Sequence, residues 1–216
     1  MDKETFLQTY IDIETKTFIR ADKTKRLDEF VNKTFNLSFK EIIDIIDYLI
    51  QNKITIRHQL FHRVLYPILS IEIDKENIQA IKSFVRLQEY YGNYENLTKD
   101  NRFSVWKLID KGLKIAPDDN ELLILFQKKQ KDYFEYTLHE LPIGVLYGSD
   151  GASIQECKEL LNDLTRYENV CNKLSIDDQQ LIDECKFYYF AYKDYLAIYK
   201  DYKGFDDYLD KHKAEE

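Results

Sequence analysis

His58 and His62 stand four residues apart in a stretch patterned as a helix, the spacing at which two imidazoles can share one metal ion. No Cys or acidic residue at matching spacing completes a ligand set, and Arg57 and Arg63 flank the pair with positive charge. Two surface or partly buried histidines are therefore expected, and no metal centre. Gly148-Ser149-Asp150-Gly151, ahead of a helix start, offers backbone amides of the kind that cradle an anion. It lacks the Lys-Ser/Thr pair of a phosphate loop and the glycine offsets of a dinucleotide site, and Asp150 would repel an anion, so it reads as a tight turn and helix cap. Ser149 and Ser153, with His139 upstream, invite a nucleophile reading, but the Gly-x-Ser-x-Gly elbow is absent. Arg20, Lys23, Lys25 and Arg26 form a basic cluster that Asp22, Asp28 and Glu29 interrupt, the pattern of a solvated helix face and not of a nucleic-acid contact. These residues predict no enzyme, no metal, no cofactor or other small molecule, and no nucleic-acid partner.

The elements that must position them are helical. Six Gly and three Pro among 216 residues are too few for the turns of an all-β fold. Hydrophobic content of 44% with 32% charged residues fits a chain that buries a core, and 17 Tyr with 13 Phe make aromatic rings a large part of it. Ser38-Phe39-Lys40-Glu41 is a capping signal ahead of the stripe Ile42, Ile45, Ile46, Leu49 and Ile50. Asp118-Asp119-Asn120-Glu121 opens a helix through Leu122, Leu125 and Phe126, and Ser153-Ile154-Gln155-Glu156 opens one through Leu160, Leu161 and Leu164. Ser175-Ile176-Asp177-Asp178 is read as opening another that reaches Tyr202. Gly92, Gly112 and Gly204 are placed at helix ends as left-handed caps.

The result is an all-α expectation of about ten helices packed as antiparallel pairs, over 3–19, 22–35, 38–52, 55–69, 75–91, 100–115, 119–139, 153–173, 177–202 and 205–212. A helical body over 1–140, an ordered glycine-containing loop over 141–152 and an acidic, aromatic-rich helical part over 153–216 are expected to pack as one domain. The start, Met1-Asp2-Lys3-Glu4, lacks a signal-peptide pattern and no apolar run reaches membrane-spanning length, so a cytoplasmic protein without a membrane partner is expected. Cys157, Cys171 and Cys185, an odd set without metal-ligand spacing, fit reduced thiols.

Charge is distributed unevenly. Residues 1–108 carry 17 Lys+Arg against 16 Asp+Glu, whereas residues 109–216 carry 14 against 23, which makes the C-terminal half −9 of the chain's net −8. An acidic half of this kind presents a negative surface to a basic partner. On the helix from Leu181 to Tyr202, Leu181, Cys185, Tyr188, Tyr192, Tyr195, Leu196 and Tyr199 share one face, the expected core stripe. Asp183, Phe187, Phe190, Asp194 and Asp201 line the other, alternating carboxylates with large rings that either another helix or a partner would cover. Phe205-Asp206-Asp207-Tyr208-Leu209-Asp210 follows Gly204 with the same mixture, which suits either a partner contact or an amphipathic terminal helix packed on its neighbour. Rings supply buried contact area while carboxylates steer and pair with arginines, so Phe187, Phe190, Asp194, Asp201, Asp206 and Asp207, with Tyr147 and Asp150 on the loop, are the candidate partner-binding residues.

Two resemblances follow. Trp106 to Leu123, reading WKLIDKGLKIAPDDNELL, resembles the boundary between tetratricopeptide repeats, where an aliphatic helix ends in a Pro-Asp turn; it implies stacked helix pairs with a groove near Trp106–Leu125 that binds a peptide or protein, as in a scaffold or adaptor. In size and charge the chain is also similar to acidic bacterial immunity proteins. That resemblance implies a non-enzymatic inhibitor that neutralises a basic, nuclease-like toxin by covering its cleft or rim.

Overall fold

The computed structural model describes residues 1–33, 35–91, 100–140 and 153–213. Among them every regular element is helical, and with His58–Asp74 counted as one rod there are ten helices, so the chain is all-α. No described helix is long and apolar enough to cross a membrane. The chain divides into two compact units, Met1–Leu122 and Leu123–Glu216. Residues 141–152, the expected loop, lie outside the described residues.

The first unit holds α1 (Lys3–Lys16), α2 (Arg20–Val31), α3 (Phe39–Gln51), α4 (His58–Leu60), a π-helical turn Phe61–Leu65, α5 (Tyr66–Asp74), α6 (Ile78–Tyr90) and α7 (Val105–Ile115). Its starts are set by side-chain caps: Asp2 accepts from the Thr5 amide, Asn77 from Gln79, Ser104 from Lys107, and Ser38 with Glu41 completes the reciprocal box. The stripe on α3 is buried as the spacing predicts, with Ile42, Ile45, Ile46 and Leu49 inaccessible, and α3 packs on α1 and α6. Each such side chain contributes about 1.5–3 kcal/mol on burial. Pro67 explains the π-helical turn. A proline ring meets the carbonyl four residues back in a regular α-helix, and widening the turn just before it relieves that clash.

Gly112 is not a cap. It lies inside α7, where a Cβ would come within 2.7 Å of Leu122 Cδ1 and 3.3 Å of Ile81 Cγ2, so its bare Cα admits the side chains of α6 and of the next helix. Gly204 also has no left-handed backbone, and Gly92 lies outside the described residues. The left-handed positions belong instead to Lys53, Glu76 and Ser175, with φ of 54°, 62° and 55°. All three close helices by one arrangement, in which the amide of the following residue reaches five positions back: Ile54 to Leu49, Asn77 to Glu72, Ile176 to Cys171.

The division between units falls within α8 (Asn120–Glu140), which Asp119 caps through the Leu122 amide. The second unit continues with α9 (Ile154–Leu174), α10 (Gln179–Ile198), a 3-10 turn Tyr199–Asp201 and α11 (Phe205–Lys213). Ser153 and Glu156 form the expected box at the start of α9. Ser175 does not open α10, as its sequence suggests, but ends α9, and Asp177 Oδ1 accepts from the Gln179 amide at the start of α10. Helices α9 and α10 pack along each other, and α11 folds back on α10. The core is aromatic: Phe134, Tyr167, Tyr189, Tyr192, Phe205 and Tyr208 gather with Leu160, Leu164 and the three free cysteines.

Candidate binding face of the second unit

The face of α10 is set by what α9 and α11 cover. Ile182, Cys185, Tyr189 and Tyr192 are its buried line, and Leu181, Tyr188, Tyr195 and Leu196 flank it half-covered. The expected stripe is therefore turned by about one position: Ile182 and Tyr189 join the core, and Tyr199 is exposed. Tyr189 is held there because its hydroxyl meets Thr137 Oγ1 on α8, which removes the cost of burying a phenol.

Turning the core line leaves the opposite side open. Phe187 is 46% exposed and Phe190 48%, and Asp183 and Asp194 are exposed beside them. Lys193 places its ammonium 4.8 Å from the centre of the Phe190 ring and 3.6 Å from Asp194, so Asp194 and Phe190 share one cation. Asp201 is exposed in the 3-10 turn that follows.

The terminal segment takes the packed alternative of its two readings. Phe205, Tyr208 and Leu209 are buried against Tyr192 and Tyr195, with Phe205 4.9 Å from Tyr192 and Tyr208 stacked 4.1 Å from His212. These rings are core, not anchors for a partner. Asp206 stays exposed, while Asp207 is engaged, accepting from the Lys203 amide at 3.0 Å and from Lys211 at 2.9 Å. Those contacts hold its carboxyl below the usual range, with the backbone bond the largest cause. Tyr147 and Asp150 lie outside the described residues.

A polar cluster that sequence reading does not single out borders this face. Asp178, its side chain 9% exposed, accepts from Lys131 at 2.6 Å, Tyr167 at 2.6 Å and Gln127 at 2.8 Å. Burial works against its charge, yet the Lys131 ammonium and the Tyr167 hydroxyl outweigh that and hold the carboxyl below the ordinary Asp value. An open cleft of about 610 Å³ lies over it, lined by Lys131, Glu135, Asp177, Gln180, Leu181 and Glu184 among others. Gln180 and Glu184 stand one to two turns before Phe187 on α10, so cleft and rings follow one another along the helix.

The remaining sequence candidates are not gathered into a site. Ser153 Oγ is committed to the α9 cap, His139 is exposed with Nδ1 3.2 Å from Glu140, and Ser149 lies outside the described residues. Lys23 turns back to Glu14, with its Nζ 2.7 Å from the carbonyl oxygen. No group of three or more potential metal ligands occurs among the described residues. Compared with protein-family models, with curated proteins and with solved structures, the chain finds no match.

Proposed function

We propose that the chain is a non-catalytic protein-binding domain whose second unit docks a basic protein on the α10 face, acting as an inhibitor of the immunity-protein kind. The observation that carries this is the pair Phe187 and Phe190, each about half exposed between carboxylates on a helix whose other side is buried. A solvated face has no use for two phenylalanines, whereas exposed rings ringed by charge are the anatomy of a docking surface. The charge balance of the unit points to the sign of the partner. Leu123–Glu216 carries 19 acidic against 12 basic residues, net −7, which leaves −1 for Met1–Leu122. A toxin nuclease, with a cationic cleft shaped for phosphates, offers the matching surface, and occlusion of that cleft needs no chemistry from the inhibitor. The partner is a protein, and the cytoplasm is the compartment where such protection acts.

The test is affinity capture at low ionic strength from the native host, followed by titration of the captured protein against variants. Phe187→Ala with Phe190→Ala is expected to weaken binding at least about 100-fold, as loss of two central rings does. Asp194→Lys with Asp201→Lys weakens it further at low salt and less at high salt. Both pairs leave helicity unchanged and shift stability by no more than about 0.5 kcal/mol per site. Equal affinity for wild type and both double variants would remove this face from the reading.

A further inference from the structure

The first unit holds two neighbouring apolar residues out from itself at the turn between α1 and α2, and the binding face leaves them unexplained. Phe18 is 91% exposed and Ile19 65%, more than any other large apolar side chain among the described residues. The turn that displays them is braced. Thr17, buried at its base, ends α1 in an extended conformation, and Nη1 of Arg26 lies 3.5 Å from its Oγ1. Lys23 reaches back from the first turn of α2 to the Glu14 carbonyl oxygen at 2.7 Å, in the last turn of α1.

Charge around this tip has the opposite sign to that of the whole chain. Residues 14–26 carry Lys16, Arg20, Lys23, Lys25 and Arg26 against Glu14 and Asp22, net +3 within a chain of net −8. The Glu14 carboxylate is 5% exposed and taken by Arg57 and Lys23, so it adds little negative field outside. Asp22 is then the exposed acid of the stretch, whereas Lys16, Arg20, Lys25 and Arg26 are all exposed. Lys16 also meets Asp12 at 2.9 Å, a contact at the surface that solvent screens. By sequence the cluster reads as a solvated helix face, but such a face does not set two adjacent apolar side chains in water at its end. Two residues on a turn are also too small a patch for a protein interface, which covers about 800 Å² a side. A bilayer asks for no matching shape: apolar side chains enter the acyl boundary, and cations meet the anionic headgroups above it.

We propose that the α1–α2 turn is a peripheral contact for an anionic lipid surface. Phe18 and Ile19 enter the boundary between headgroups and acyl chains, and Arg20, with Lys16, Lys25 and Arg26 around it, supplies the positive field that holds them there. The contact is shallow and reversible, because two side chains and a few cations bind a bilayer far more weakly than a spanning helix does. It rests on the first unit alone and is independent of the α10 face.

Sedimentation of the full chain with lipid vesicles at low ionic strength tests it. Vesicles of phosphatidylcholine with about one-third phosphatidylserine are expected to bind the chain at least about tenfold more strongly than pure phosphatidylcholine, and added salt removes the difference. Phe18→Ser with Ile19→Ser lowers the partition at least about tenfold, at exposed positions where folding is not at stake. Arg20→Glu with Lys25→Glu has the same effect, while Arg20→Lys with Lys25→Arg binds as wild type, as a field rather than a shaped contact requires. Fluorescence of Phe18→Trp moves to shorter wavelength when anionic vesicles are added. Phe187→Ala with Phe190→Ala leaves vesicle binding unchanged, so this contact and the α10 face stand or fall separately. No binding to the anionic vesicles, or equal binding by the double serine variant, overturns the proposal. So does a complex with a protein or a second copy of the chain that the serine variant abolishes while vesicles bind neither form, since the tip is then a protein contact.

Discussion

The two units handle charge in opposite ways. In the first, several carboxylates and cations far apart in the chain are paired with one another. Glu14, 5% exposed, holds Arg57 and Lys23; Lys82 bridges Asp119 and Glu121; Arg86 meets Asp47. In the second, helices are joined mainly through rings and hydroxyls, and the surplus of carboxylates faces outward. The ion pair Lys131–Asp178, its carboxylate 9% exposed, is backed by a tyrosine and a glutamine. The second unit carries the larger excess of carboxylates, and such an excess gives a surface a field that favours an oppositely charged partner.

The strongest way to break this comparison is to remove the carboxylate on which the second unit depends. Asp178→Ala strands Lys131, Tyr167 and Gln127 together, and is expected to cost about 2–4 kcal/mol in urea denaturation. Its pH signature has a definite sign. The folded pKa lies below the unfolded value, so the stabilisation is complete above about pH 5 and drains away as pH falls through the folded pKa. Asp178→Asn should flatten the acid limb of a stability curve taken from pH 5 to 2.

Glu14→Gln probes the first unit in the same terms. It breaks a bidentate contact, but Arg57 is 40% exposed and recovers water, so about 1–2 kcal/mol is expected by the same assay. A larger loss from Glu14→Gln than from Asp178→Ala would invert the ranking. The smallest effects have the opposite sign. Lys53→Gly and Glu76→Gly in the first unit and Ser175→Gly in the second should each stabilise by about 0.5–1 kcal/mol, because glycine occupies the left-handed region without the Cβ penalty. Thermal melts of the three single variants check this and show whether the gain is alike in both units.

How far the sequence spoke depended on how local the signal was. The boxes at Ser38/Glu41 and Ser153/Glu156 and the stripe on α3 were legible because each involves residues a few positions apart. The phase of α10 was not. Leu181 with Ile182, and Tyr188 with Tyr189, offer two overlapping apolar lines, and only the neighbouring helices decide which is buried. Phe205 and Tyr208 carry the same pattern whether they meet a partner or their own helix α10. Asp178 was unreadable as a hub because Lys131 and Gln127 lie 47 and 51 positions away. The alternation of acids and rings on the other side of α10 is legible as a pattern, but whether another helix covers Phe187 and Phe190 is not, and their exposure is what the packing of the unit decides.

The widened turn at Phe61–Leu65 also resets the phase of its rod. Phe61, Leu65, Leu69 and Ile73 are all buried, yet they follow one another at intervals of four. On a uniform α-helix each interval overshoots a full turn by about 40°, so the last would stand about 120° around from the first. One wide turn takes back much of that drift and lets the line of four face one core. Deleting a single residue there would leave Leu69 and Ile73 seven and eleven positions from Phe61, within about 20° of it on a regular α-helix, so the wide turn takes in one extra residue without moving the buried line.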